Sequence, residues 1–419
     1  MENKMPNRWL VILLAGFCVM LMLGIIYSWS VFKVPLQKAD GLYKWTAQET
    51  TLPFSIFLLT FALMTIPAGR LQDKKGPRIG ALLGGVLMGT GFMLASLVGV
   101  INKPIWLIAV YGIIAGAGCG LGYNAVIPCI RKWFPDKPGL SVGLVLGGFG
   151  LSAFVFSKIA TSLIASQGLP TSFLICGIIV LVVIITAALF LKNPPEGYKP
   201  AGWTPPQAAA NKPIVADYTF KEALSSWQFY ALWIMFAFTA GAGLAVIGTI
   251  KPFATAMFKQ GMTGTGTDVI DSLATWAVGL LSTANALGRP GGGFLMDKIG
   301  RKITMLIVFI IQAVFMSILV FCNTPATLFP VFIGIGLMFG SCLAIFPAAT
   351  GSFFGTKNLG IIYGGVFTAY GAGGLIMPTV YNKISAGYGE YWGFQIMGIL
   401  CVVAALVALM VKHPVKKTS

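Results

Sequence analysis

Apolar positions along the chain come in long unbroken blocks, not in the alternation of a half-buried strand or the narrow stripe of a surface helix. Each block is about 20 residues long, enough for a helix rising ~1.5 Å per residue to cross a hydrocarbon core of ~30 Å. Turn residues and charges separate twelve such spans, at 9–32, 46–69, 79–100, 105–130, 140–165, 171–191, 227–256, 272–296, 303–322, 327–350, 359–382 and 393–411. Thr46-Ala47-Gln48-Glu49 forms a capping box that opens the second. The polar start is short and the first block is too long for a signal-peptide core, so it reads as a retained helix. One long polar stretch rich in proline, 193–226, parts two sets of six spans. The expected architecture is an all-α membrane protein of two six-helix bundles, 1–192 and 227–419, joined by a cytoplasmic linker.

Composition agrees with that picture. Hydrophobic residues make up 57% of the chain and charged residues 10%, where a soluble domain carries roughly 25% charged. A net charge of +17 would point to nucleic acid in a soluble protein; in a bilayer the placement of the charge matters more. Counted from a cytoplasmic N-terminus, the cytoplasmic segments hold 20 Lys and Arg and the opposite side holds five. The positive-inside rule then puts both termini in the cytoplasm. The seven cysteines lie in or beside apolar segments with no C-x-x-C pair, and the lone His413 sits in the tail, so no metal site and no cofactor are expected. The run Gly116-Ala117-Gly118-Cys119-Gly120-Leu121-Gly122 follows no strand and reads as close helix packing, not a nucleotide loop. Nothing points to an enzyme or to ATP.

The two sets of spans repeat each other. Gly69-Arg70-Leu71-Gln72-Asp73-Lys74-Lys75-Gly76-Pro77-Arg78 follows the second span, and Gly293-Phe294-Leu295-Met296-Asp297-Lys298-Ile299-Gly300-Arg301-Lys302 follows the eighth. Gly116 and Gly120 answer Gly336 and Gly340, Trp133 to Lys137 answers Phe353 to Lys357, and Lys33 answers Lys251, all at offsets of 218 to 224. Two similar halves imply a path between them, a site near the midplane and alternating access by rocking.

Every acidic residue falls in a loop or at a span end, whereas Lys33, Lys158, Lys251 and Arg289 lie within spans. A buried arginine costs ~2.5–3.5 kcal/mol even on the lenient insertion scale, and such residues usually line a pathway. Lys33 and Lys251 are near the outer ends and either snorkel or form a cationic outer vestibule; their symmetric placement favours the vestibule. Lys158 is left without a role. Arg289 stands eight residues before Asp297, about 12 Å from the loop, between Gly288 and Pro290. Its planar fork suits a carboxylate. Tyr27, Tyr123, Asn124, Asn285, Phe339, Tyr363 and Tyr370 have the aromatic or amide character to complete a site around it. The expected cargo is a small organic anion. A cation or multidrug exporter would ordinarily hold an intramembrane carboxylate, and a sensor would usually add a soluble domain.

The doubled G-x-x-x-D-[RK]-x-G-x-[RK] segment resembles the cytoplasmic loop motif of the major facilitator superfamily. That resemblance implies a gating role for Asp73, Arg78, Asp297 and Arg301. Tyr27-Ser28-Trp29-Ser30, Arg131 to Leu140, Ser226 to Tyr230 and Gly288-Arg289-Pro290 are similar to the bacterial oxalate:formate antiporter and monocarboxylate transporter family. The similarity implies that Arg289 meets the substrate carboxylate and that Tyr27, Tyr123, Phe339 and Tyr363 enclose it. The oxalate carrier's second cation, a lysine in the eleventh helix, aligns with Val366. One fixed cation implies a monocarboxylate such as formate, lactate or pyruvate over oxalate. The aspartate that proton-coupled relatives hold one turn before the arginine is Asn285 here. Exchange or uniport is therefore expected first, with proton symport or oxalate exchange as the alternatives. The expected setting is the bacterial inner membrane, with the bilayer and a small carboxylate as partners, no nucleic acid, and a monomer.

Overall fold

A computed structural model describes residues 7–37, 41–200, 203 and 217–414. Among them the regular structure is entirely helical. Ten helices are individually long and apolar enough to cross a membrane. One of these, Pro138–Phe190, turns sharply at Gly168, whose φ of +82° no helix permits, and so supplies two spans. The helix Thr267–Ile299 adds another; its serines, threonines and Asn285 lower its hydropathy. The twelve spans are α1 (Arg8–Gln37), α2 (Ala47–Lys75), α3 (Pro77–Ile101), α4 (Pro104–Trp133), α5 (138–167), α6 (169–190), α7 (Trp227–Gly261), α8 (Thr267–Ile299), α9 (Arg301–Phe321), α10 (Pro325–Phe354), α11 (Leu359–Tyr388) and α12 (Glu390–Met410).

Local signals set the helix ends. Thr46 and Glu49 form the reciprocal capping box at the start of α2. The repeated segment is not a loop, however. Both copies continue their helices to Lys75 and Ile299 and stop at Gly76 and Gly300, each at φ +80°. The apolar run ends where the hydrocarbon ends, but backbone bonding goes on through the charged turn until a residue without Cβ lets the chain reverse. The same effect carries α4 past the end of its apolar run to Trp133 and takes Arg131 into the helix, 8% exposed.

Most of the linker, 201–202 and 204–216, lies outside the described residues. Its last part is anchored: Asp217 accepts from the amides of Thr356 and Lys357, and a short turn, Phe220–Leu224, follows. At the matching place in the first half, Arg8 binds both oxygens of Asp136, at 2.5 and 2.9 Å. Burial lifts the Asp136 carboxyl, but the bonds from Arg8 outweigh it and hold the group below its usual range.

Candidate functional site

The halves meet along two helix pairs, α5 with α8 and α2 with α11. At the first crossing Gly139 faces Gly293 backbone to backbone, and at the second Gly69 faces Gly360. Such approach leaves no room for a Cβ and lets the helix ends trade hydrogen bonds. Asp297 accepts from the amides of Gly139 (2.9 Å) and Leu140 (2.8 Å), and so caps α5. Asp73 accepts from Gly360 (3.1 Å) and Ile361 (2.9 Å), and so caps α11. Each aspartate belongs to one half and caps a helix of the other. Asn124 adds a third tie, its amide donating to Thr65 in α2 (2.6 Å) and Gly360 in α11 (2.8 Å). The conformation is thus closed on the face that the lysines and arginines mark as cytoplasmic. Farther out, Gly248 in α7 and Gly279 in α8 have open space beside them.

Removing one of these caps has a defined expected effect. A hydrogen bond to a charged group contributes about 1.5–3 kcal/mol, so Asp73→Asn should shift the inward-to-outward ratio about tenfold toward the inward-open form. Distances between spin labels on the cytoplasmic ends of α2 and α11 will report it; an unchanged distribution removes the latch role.

Just beyond the closed face lies a small cavity. Tyr27, Phe61, Tyr123 and Phe149 line it from the first half, and Arg289, Leu343, Phe367 and Tyr370 from the second. Arg289 is 1% exposed. Its Nη1 donates to the Leu146 carbonyl of α5 at 2.8 Å, and its Cζ lies 5.6 Å from the centre of the Phe149 ring. Its Nε and Nη2 have no hydrogen-bond partner, and no ion pair reaches it among the described residues. Two unpaired donors on one edge of a guanidinium make the side-on fork that a carboxylate fills with two parallel bonds. Across the cavity the hydroxyls of Tyr27 and Tyr370 meet at 3.0 Å and bridge α1 to α11. Tyr123 closes one wall, with its ring 4.8 Å from Phe367.

Four of the residues expected around the cargo therefore come together: Arg289, Tyr27, Tyr123 and Tyr370. Four sit elsewhere. Asn124 ties helices, as above. Asn285 is buried against α10, with its Oδ1 unpaired. Phe339 packs on Gly243 of α7, and Tyr363, fully buried one turn below Phe367, lies behind the lining beside Tyr123 and near Arg289. Val366 is buried too and is not among the lining residues, so the position without a lysine does not border the cavity. Of the basic residues expected to gate, Arg78 bonds to Leu189 (2.7 Å) and Arg301 to His413 (2.7 Å), each within its own half. Lys33 is half-buried near the outer end of α1, Lys251 is exposed on α7, and Lys158 sits over the Phe154 ring at 4.1 Å. Phe61, Phe149, Leu343 and Phe367 escaped the sequence reading. Phe367 had a signal, since Tyr363, Phe367 and Tyr370 are spaced four and three apart on one helix face; Phe61 and Leu343 look like any other apolar residue of a span.

The sequence profile of the Major Facilitator Superfamily matches residues 9–273 and 255–419. The chain belongs to this superfamily. It is 30% identical over 376 residues to an uncharacterized MFS-type transporter, YhjX, of Escherichia coli, covering 89% of this chain and 87% of that protein. It is 28% identical to the oxalate:formate antiporter of Oxalobacter formigenes, covering 98% and 94%, and 24% identical to apicoplast pyruvate carrier 1 of Toxoplasma gondii, covering 96% and 88%. Among solved structures, that of the MFS transporter FucP in its outward conformation superposes with a TM-score of 0.70 at 18% identity, over 96% of this chain and 99% of that one. The protein is a multi-pass membrane transporter of two six-helix halves, not an enzyme, and a transporter implies a small-molecule cargo and a surrounding bilayer.

Proposed function

We propose that this transporter carries small monocarboxylates of the formate, lactate or pyruvate kind, by alternating access, as an exchanger or uniporter of the bacterial inner membrane. The observation that carries the reading is Arg289, buried between the halves with Nε and Nη2 unpaired. A fixed cation without a protein counter-charge is stabilised when an anion docks on it. The lining holds no second cation and is otherwise aromatic, aliphatic and phenolic, which suits one carboxylate and a small tail. The names of two relatives, an oxalate:formate antiporter and a pyruvate carrier, speak of carboxylate cargo. Their bacterial members favour the inner membrane.

The test is flux into proteoliposomes preloaded with formate, lactate, pyruvate or oxalate, with pH and voltage clamped. Labelled monocarboxylate should enter when a monocarboxylate is inside, and a pH step alone should drive none. Entry driven by the pH step makes the protein a proton symporter. Movement of oxalate without any monocarboxylate reassigns the cargo to dicarboxylates. Failure of all four acids to move ends the carboxylate reading.

A further inference from the structure

We propose a second anion subsite at Arg131, on the cytoplasmic leg of the path, that takes a carboxylate between Arg289 and the cell interior. It rests on the reading of Arg289 as a carboxylate site. The α2–α4 contact keeps one register: Gly116 meets Phe57, Gly120 meets Phe61, and Asn124 bonds to Thr65, each pair 59 positions apart. Two turns further on, the same register sets Arg131 level with Gln72, about 10 Å nearer the cytoplasm than Asn124.

Both side chains are shut away from solvent, at 8% and 0% exposure. Arg131 donates through Nη1 to the Ala348 carbonyl of α10, in the other half, at 2.7 Å. Its Nε is unpaired, as are both amide atoms of Gln72. No ion pair reaches Arg131 among the described residues. Two acids lie nearby: Asp73, bonded to Gly360 and Ile361 with Lys132 acting on it, and Asp297 of the other half, bonded to Gly139 and Leu140 and attracted to Arg131 itself across the seam. When the halves part on this face, Ala348 and Asp297 leave with the second half while Arg131 and Gln72 stay with the first. A guanidinium edge and an amide N–H then face the inner vestibule, which is the donor set an incoming or departing carboxylate needs.

The arginine has no symmetric counterpart in the second half. The offset that pairs Gly120 with Gly340 and Trp133 with Phe353 puts Gly351 where the first half has Arg131. The latch aspartates are doubled and this cation is single.

The experiment uses the full-length protein in proteoliposomes of sorted orientation and measures half-saturation for labelled formate separately from the inner and outer faces. Arg131→Gln keeps a donor for Ala348 and removes the charge. It should raise inner-face half-saturation about three- to tenfold and leave the outer face unchanged, whereas Arg131→Lys stays near wild type. Gln72→Leu should raise the inner value alone, by a smaller factor, and serves if Arg131→Gln does not fold. Wild-type inner half-saturation in Arg131→Gln overturns the proposal. So do opposite shifts at the two faces, which mark a mere change in the inward-to-outward population. If wild-type protein shows no saturable flux of formate, lactate or pyruvate, the Arg289 reading fails first and takes this one with it.

Discussion

Arg289→Gln protein is expected to reach the membrane folded and to carry at least about a hundredfold less carboxylate than wild type. Losing one partner of a dry, charge-assisted pair costs about 2–5 kcal/mol, and here the lost partner is the one cation among the lining residues. The fold should not suffer, because the guanidinium pairs with no acid and leaves two donors unpaired. Replacing an uncompensated buried charge with a neutral amide is neutral or stabilising, so thermal stability in detergent should hold or rise as transport is lost. Arg289→Lys keeps a point charge without the fork and should fall between. Wild-type flux in Arg289→Gln takes the arginine out of the site; a collapse in stability makes it structural.

Gly293→Val should cut flux more than about tenfold by a different route. A Cβ on Gly293 would press on the carbonyl of Gly139 and lie 3.0 Å from the amide of Leu140; one on Gly139 would lie 2.8 Å from Oδ1 of Asp297. Backbone facing backbone cannot yield as a side chain can, and overpacking of this kind typically costs 1–3 kcal/mol. Here it falls on one conformation only. The crossing of α5 and α8 exists while the cytoplasmic face is closed, so the variant should rest inward-open with the Asp297 cap undone. Labelling of cysteines introduced at the cytoplasmic ends of the two helices should become fast. Gly291→Val, on the same helix with open space around it, is the control and should transport normally. Equal loss in both variants ascribes the effect to membrane insertion, not to the crossing.

The helices were legible because a bilayer demands the same thing of every span, a block of apolar residues long enough to bury its own backbone bonds. The repeat was legible because helix ends that trade caps need an acid and a glycine at fixed places. Span ends were read short at Asp73, Arg131 and Asp297, since hydropathy reports the edge of the hydrocarbon and not the end of backbone bonding. That matters most for Arg131, which counts as a loop charge in the sequence and is buried between the halves in the fold. The cavity was half legible. An arginine within a span is conspicuous, and tyrosines beside glycines draw notice. Which face of α11 looks inward is set by how it packs on α2, so Tyr370 and Phe367 border the cavity while Tyr363 and Val366 do not. Asn124 and Asn285 have the right chemistry for a ligand, but helix packing takes one amide and closes the other in.

The bond from Arg289 to the Leu146 carbonyl spans the seam between the moving parts. On the proposed reading, an unladen carrier that rocks must break that bond while its guanidinium is still dehydrated and unneutralised, whereas a laden one brings an anion to hold it. Idle turnover would then be slow, and the quickest way home would be with a passenger. A protein built this way resists leaking and trades one acid for another without a pump or a proton to enforce the bargain.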